Sequence, residues 1–84
     1  MADLKGLIEA VARALADQPD AVSVRESERR GATVYELQVA SSDLGRVIGR
    51  QGRTAAALRT LLTSAAEADD KRVSLDIRDQ TGRS

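Results

Sequence analysis

The sequence predicts an α+β domain with elements in the order helix, strand, strand, helix, helix, strand, arranged as a three-stranded mixed sheet with three helices on one face. Three features predict it: apolar residues at helical spacing in the opening stretch, three short runs that alternate with period two, and two further helical patterns separated by a pair of glycines.

Leu4, Leu7, Ile8, Val11 and Leu15 lie at i, i+3, i+4, i+7 and i+11, one face of a helix over about 4–17. Asp3 is its expected N-cap, Gly6 weakens its first turn, and Pro19 ends it by forcing the preceding residue out of the helical region. Val22 and Val24 then alternate with Ser23 and Arg25, Arg29 to Gly31 form a turn, and Thr33, Tyr35, Leu37 and Val39 alternate with Val34, Glu36, Gln38 and Ala40. The two runs read as a hairpin. Val34, on the polar side of the second, predicts partial cover of that side.

Ser41, Ser42 and Asp43 form a capping cluster before a short helix marked by Leu44, Val47 and Ile48, which Gly49 cuts off. After Gly52, residues Ala55, Leu58, Leu61, Leu62 and Ala65 mark an amphipathic helix over about 53–67, supported by the helix formers Ala55, Ala56 and Ala57. Glu67 to Arg72 read as a charged loop, and Val73, Leu75 and Ile77 as a final strand. The strands flanking the helix pair are expected to lie parallel, joined by a right-handed crossover. Residues 1–84 form one domain on this reading, with an ordered core over about 2–79 and a polar tail, 80–84, that frays.

Composition excludes several classes of chemistry. There is no Cys and no His, hence no disulfide, no thiolate zinc site, no Cys nucleophile and no imidazole base. No catalytic residue, cofactor or metal is predicted, and the chain is not expected to be an enzyme. Asp69, Asp70, Asp76 and Asp79 read as a solvated edge rather than a metal site. No apolar run is long enough to span a membrane, and the N-terminus does not resemble a secretory signal, so a cytoplasmic location is expected. Tyr35 is the only aromatic residue, which argues against modules that stack bases on aromatic platforms.

The 13 basic and 13 acidic residues cancel, but they are not evenly spread. Residues 43–63 hold Arg46, Arg50, Arg53 and Arg59 against Asp43 alone, a local net charge of +3. Within that stretch lies Gly49-Arg50-Gln51-Gly52. A Gly-x-x-Gly spacing by itself arises by chance roughly 0.4 times in a chain of this length at ordinary glycine usage, and from the motif alone a helix cap followed by a tight turn is the better explanation. Its place between two amphipathic helices adds meaning. The start of the second helix presents backbone N–H groups without partners, and these together with the helix dipole favour phosphate. Glycines admit a sugar–phosphate backbone closely, Arg50 adds a charged donor, Arg46 and Arg53 extend the positive field, and Val47 and Ile48 are placed to floor a groove for bases.

Val47-Ile48-Gly49-Arg50-Gln51-Gly52-Arg53-Thr54 resembles the signature of the K-homology (KH) RNA-binding domain. The element order resembles its type II arrangement over about residues 2–79. The stretch from Leu44 through Leu62 is similar to that of the small bacterial single-KH proteins of the KhpA family. The resemblance implies that Gly49 to Gly52 clamp the backbone of about four unpaired nucleotides of single-stranded RNA, with Arg46, Val47, Ile48 and Arg53 beside them. It places Leu37 and Val39 as candidates for the opposite wall of the groove, where a plain core role competes, and Glu67 to Arg72 as the loop bordering it. That loop is not plainly basic, so binding is expected to be weak and only modestly salt-dependent. The resemblance further implies an RNA chaperone or post-transcriptional regulator, a homodimer, and pairing with a second KH protein of the KhpB, Jag or EloR type in the control of cell elongation and division. The alternative is a KH-fold dimerisation or adaptor module with little RNA binding of its own, in which the Ala-rich helix meets a partner helix.

Overall fold

A computed structural model describes residues 3–79; the expected tail, 80–84, lies outside them. Helix α1 spans Leu4–Leu15, strand β1 Ser23–Arg29, strand β2 Ala32–Val39, helix α2 Leu44–Ile48, helix α3 Arg53–Ala68 and strand β3 Arg72–Asp79. Single 3-10 turns at Pro19–Ala21, Ser41–Asp43 and Arg50–Gly52 join them.

Asp3 caps α1 through its side chain, which accepts from the Gly6 N–H at 3.0 Å. A side chain at Gly6 would press on the Asp3 carboxylate, which would have to shift. The buried line of α1 is Ile8 and Ala12, with Leu4, Leu7 and Ala16 packed beside them, so Leu15 lies at the edge and is exposed. The helix stops at Leu15 rather than near 17. The backbone N–H groups of Asp17 and Gln18 turn away to the Asp43 carboxylate at 3.1 and 3.0 Å, and Ala16 takes an extended conformation.

Strands β1 and β2 form an antiparallel hairpin in which Arg29 faces Ala32 across the two-residue turn Arg30–Gly31. Both turn residues have positive φ, 52° and 80°, the pattern whose twist suits a tight hairpin. Strand β3 pairs parallel to β2 with Tyr35 opposite Leu75, so the sheet order is β1-β2-β3, with β2 central and β3 an edge. Val24, Tyr35, Leu37, Val39, Leu75 and Ile77 are buried on one face against Ile8, Ala12, Val47, Ala55, Leu58 and Leu62. Burying each Leu or Ile side chain here stabilises the fold by about 1.5–3 kcal/mol. On the opposite face Val34 is half-buried between its strand partners Ser27 and Ser74, and no described residue of that face is buried. Val34 is thus shielded by its neighbours within the sheet.

Helix α3 runs through Ala68, so Glu67 and Ala68 belong to it and Arg72 already belongs to β3. Its end is closed by a Schellman pair: Lys71 N–H donates to Ala66 C=O at 2.8 Å and Asp70 N–H to Glu67 C=O at 3.0 Å. The left-handed position, usually glycine, is Asp70 with φ 56°.

Candidate nucleic-acid interface

The crossover from β2 to β3 carries the site. Helix α2 is only five residues long and is anchored by Val47, which is 1% exposed. Val47 is therefore a core residue, while Ile48 is half-buried and packs at the margin of the core. The last bond of the helix runs from Gly49 N–H to Gly45 C=O at 2.9 Å.

Gly49 then takes φ 83°, ψ 166°, a region open essentially to glycine alone. A methyl group there would run into the Thr54 hydroxyl and stand 2.7 Å from Thr54 Cβ and 2.9 Å from its backbone nitrogen. The chain turns once through Arg50–Gly52, closed by Gly52 N–H on Gly49 C=O at 3.0 Å, with Gln51 and Gly52 both left-handed at φ 58° and 71°. Gly52 caps α3 without any side-chain acceptor, so the leading N–H groups of this sixteen-residue helix are not taken by a capping side chain. The Arg53 N–H donates to the Arg50 carbonyl, and uncapped N–H groups beyond it at a helix start favour an anion.

The cations differ in their commitments. Arg50 is exposed, and Arg53 donates from Nη2 to Gln51 Oε1 at 3.2 Å. Among the described residues neither stands in an ion pair, whereas Arg46 stands in two, 3.1 Å from Asp17 and 3.8 Å from Asp43. Arg59, about 9 Å further along α3 than Arg53 at the rise of a helix, donates from Nε to the Leu75 carbonyl at 3.3 Å. Beside it is a cleft of about 220 Å³ between α3 and β3, lined by Arg59, Leu62, Thr63, Val73, Ser74 and Leu75.

Leu37 and Val39 do not line this cleft. Both are fully buried because β2 is the central strand, and the wall opposite α3 is the edge strand β3. The loop between α3 and β3, expected to border the groove, is shorter than expected, Asp69 to Lys71. The sequence places Asp43 in a capping cluster with Ser41 and Ser42. It is 1% exposed, makes no such cap, and binds the chain leaving α1. Its standing as the only acid in a basic stretch was the signal available in the sequence. Among the described residues no group of three or more acidic, His or Cys side chains is placed to hold a metal ion, and no helix is long and apolar enough to cross a membrane.

A helix–Gly-x-x-Gly–helix unit between parallel strands, with a preceding helix and strand, defines a KH domain of the type II arrangement. The chain belongs to the KhpA/KhpB KH-domain family, whose family model matches residues 5–77. It is 48% identical over 71 residues to the RNA-binding protein KhpA of Caldanaerobacter subterraneus subsp. tengcongensis, covering 84% of this chain and 95% of that one. It is 49% identical over 73 residues to KhpA of Treponema pallidum, covering 87% and 91%, and 47% identical over 77 residues to KhpA of Aquifex aeolicus, covering 92% and 98%. These relatives are named for RNA binding and not for a reaction. Among solved structures, the fold is similar to part of Era, crystallised with MgGDPNP and nucleotides 1506–1542 of 16S ribosomal RNA, with a TM-score of 0.60 and 16% identity over 90% of this chain and 29% of that one.

Proposed function

We propose that the protein binds short single-stranded RNA by clamping the backbone of about four nucleotides at Gly49, Arg50, Gln51 and Gly52. The observation that carries this reading is the loop geometry: two glycines and Gln51 in left-handed or glycine-only conformations lead into a helix whose first turn has no side-chain cap. Arg50 and Arg53 supply the free charges. Bases would lie along the cleft between α3 and β3, past Ile48 and Arg59. With two phosphates neutralised, the logarithm of the binding constant should fall with the logarithm of salt concentration at a slope of about 1.4, a shallow dependence.

The test is fluorescence anisotropy with a labelled single-stranded RNA pool, comparing wild type with the double variant Arg50→Asp, Gln51→Asp. Arg50 and Gln51 are exposed, and Asp tolerates the left-handed position, so circular dichroism should show both proteins folded. Loss of binding in the folded variant supports the clamp; equal binding by both refutes it.

On this reading the protein acts in the cytoplasm as an RNA chaperone or post-transcriptional regulator, together with a second KH protein of the KhpB, Jag or EloR type that links it to cell elongation and division. One observation favours self-association as a second reading. Leu61 is 50% exposed on α3, in line with exposed Ala57, Ser64 and Ala68, a stripe of small and apolar side chains that lets a partner helix approach. Sedimentation of wild type against Leu61→Glu tests it: a dimer that the substitution dissociates supports the stripe as the interface, and an unchanged mass refutes it.

A further inference from the structure

Resting on the clamp reading, we propose that Asp17 holds Arg46 back from RNA, so that this single carboxylate sets how much charge the clamp offers a phosphate backbone. Arg46 lies one turn before Gly49 on α2, on the side of the helix that leads into the loop, as its i, i+3 spacing requires. Its guanidinium is held from two directions. Nη2 sits 3.1 Å from Asp17 Oδ2, and Nε sits 3.8 Å from Asp43 Oδ1.

The two carboxylates are not equivalent. Asp43 is buried and both its oxygens are occupied by backbone N–H groups, so it is a fixed inner anchor that aims the arginine. The Asp17 side chain is 68% exposed, and no hydrogen bond holds it apart from its pairing with Arg46. It engages Nη2, and both side chains of this pair are largely exposed to solvent. A phosphate oxygen has the charge and hydrogen-bonding geometry to take that place while Asp43 keeps the arginine aimed.

Arg46, whose side chain is 58% exposed, is thus a third cation of the site, for whose charge a phosphate competes with Asp17. Exposed ion pairs are weak, so the displacement lowers affinity by no more than about five-fold. A ligand whose backbone extends past the loop onto α2 meets this cost; one confined to the loop does not gain the third contact.

Asp17→Asn isolates the effect, because the backbone N–H that binds Asp43 is kept and the side chain keeps its shape. The expected result is about two- to five-fold tighter binding of the labelled RNA pool at low salt, with the salt slope steeper by about 0.7, the value for one additional phosphate on a single strand. Neither change should appear when Asp17→Asn is made in an Arg46→Gln background. No gain in the wild-type background overturns the inference. So does an equal gain in both backgrounds, which would mark a general effect of removing a negative charge. RNA binding that survives Arg50→Asp, Gln51→Asp overturns the clamp reading and this inference together. Clamp-dependent binding that ignores Asp17 overturns this inference alone.

Discussion

Substituting Gly49 by alanine should be far more damaging than the same change at Gly52, although both glycines have positive φ. At Gly49 the backbone, φ 83° and ψ 166°, lies in a region that costs a side-chain-bearing residue about 1–3 kcal/mol. The added methyl also meets Thr54, including its backbone nitrogen at 2.9 Å, which is fixed in the first turn of α3 and cannot rotate away. Overpacking of that kind adds about 1–3 kcal/mol. The sum is about 2–6 kcal/mol, against a total stability of about 4–12 kcal/mol for a domain of this size. At Gly52 the backbone is ordinary left-handed helix, φ 71° and ψ 14°, and a methyl would meet nothing within 4 Å. The cost there is about 1–2 kcal/mol. Urea unfolding followed by far-ultraviolet circular dichroism would rank the two, and in thermal melts each 1 kcal/mol corresponds to about 4–8 °C. Thr54→Ala in the Gly49→Ala background should recover only part of the loss, since the Thr54 Cβ and backbone nitrogen remain in place. Equal losses at the two glycines, or a larger loss at Gly52, would refute the reasoning, because they would mean that the loop relaxes away from Thr54 at little cost.

Three further outcomes are expected. Asp70→Gly should raise stability by about 1 kcal/mol, since Asp70 fills the left-handed position of the Schellman closure of α3 at φ 56°; a lower urea midpoint would contradict this. Asp43→Ala should cost about 2–4 kcal/mol by leaving the Asp17 and Gln18 N–H groups without their acceptor, and Asp43→Asn, which keeps one acceptor oxygen, should cost less; equal melting temperatures for the three proteins would show that water replaces the carboxylate freely. The Tyr35 phenol is raised above its usual value of 10.0, first by burial and then by Glu26 and Asp3, so the native state keeps a proton that the unfolded state loses. Its contribution to stability is complete below about pH 10 and is lost as pH rises through the native value. As Tyr35 is the only aromatic residue, phenolate absorbance should titrate at higher pH in native protein than in urea, and coincident curves would remove the effect.

Much of the fold is legible because its signals are local. The period-two run through Tyr35, Leu37 and Val39 marks a strand wherever it lies in the sheet, and Gly49 and Gly52 mark a loop whatever they face. What is not legible depends on position in three dimensions. The burial of Leu37 and Val39 follows from β2 being central, which is a property of strand order and not of periodicity. The early end of α1 follows from a carboxylate more than twenty residues away, since Asp43 offers the Asp17 and Gln18 N–H groups an acceptor. The extension of α3 through Ala68 was hidden because its closure uses Asp70 in place of the glycine that normally announces such an end. The nearer of the two acids beside Arg46, Asp17 at 3.1 Å, is distant in sequence, as are the N–H groups that Asp43 binds.

These long-range contacts bear directly on the loop. A five-residue helix such as α2 is far below the length at which a helix is stable alone, and it has no side-chain cap. The Gly49–Gly52 turn that follows holds Gln51 in a left-handed conformation that costs about 1–2 kcal/mol. Neither element can set its own geometry. Val47 fixes α2 from below, Thr54 fixes Gly49 from the side of α3, and Asp43 ties the start of α2 to the chain leaving α1 through the Asp17 and Gln18 N–H groups. Strain at the loop is therefore borne by contacts that lie outside it. It follows that substitutions at Asp43 or Val47, neither of which is exposed to a ligand, should loosen the loop as well as lower overall stability, whereas substitutions at Arg50 should leave stability within about 0.5 kcal/mol of wild type.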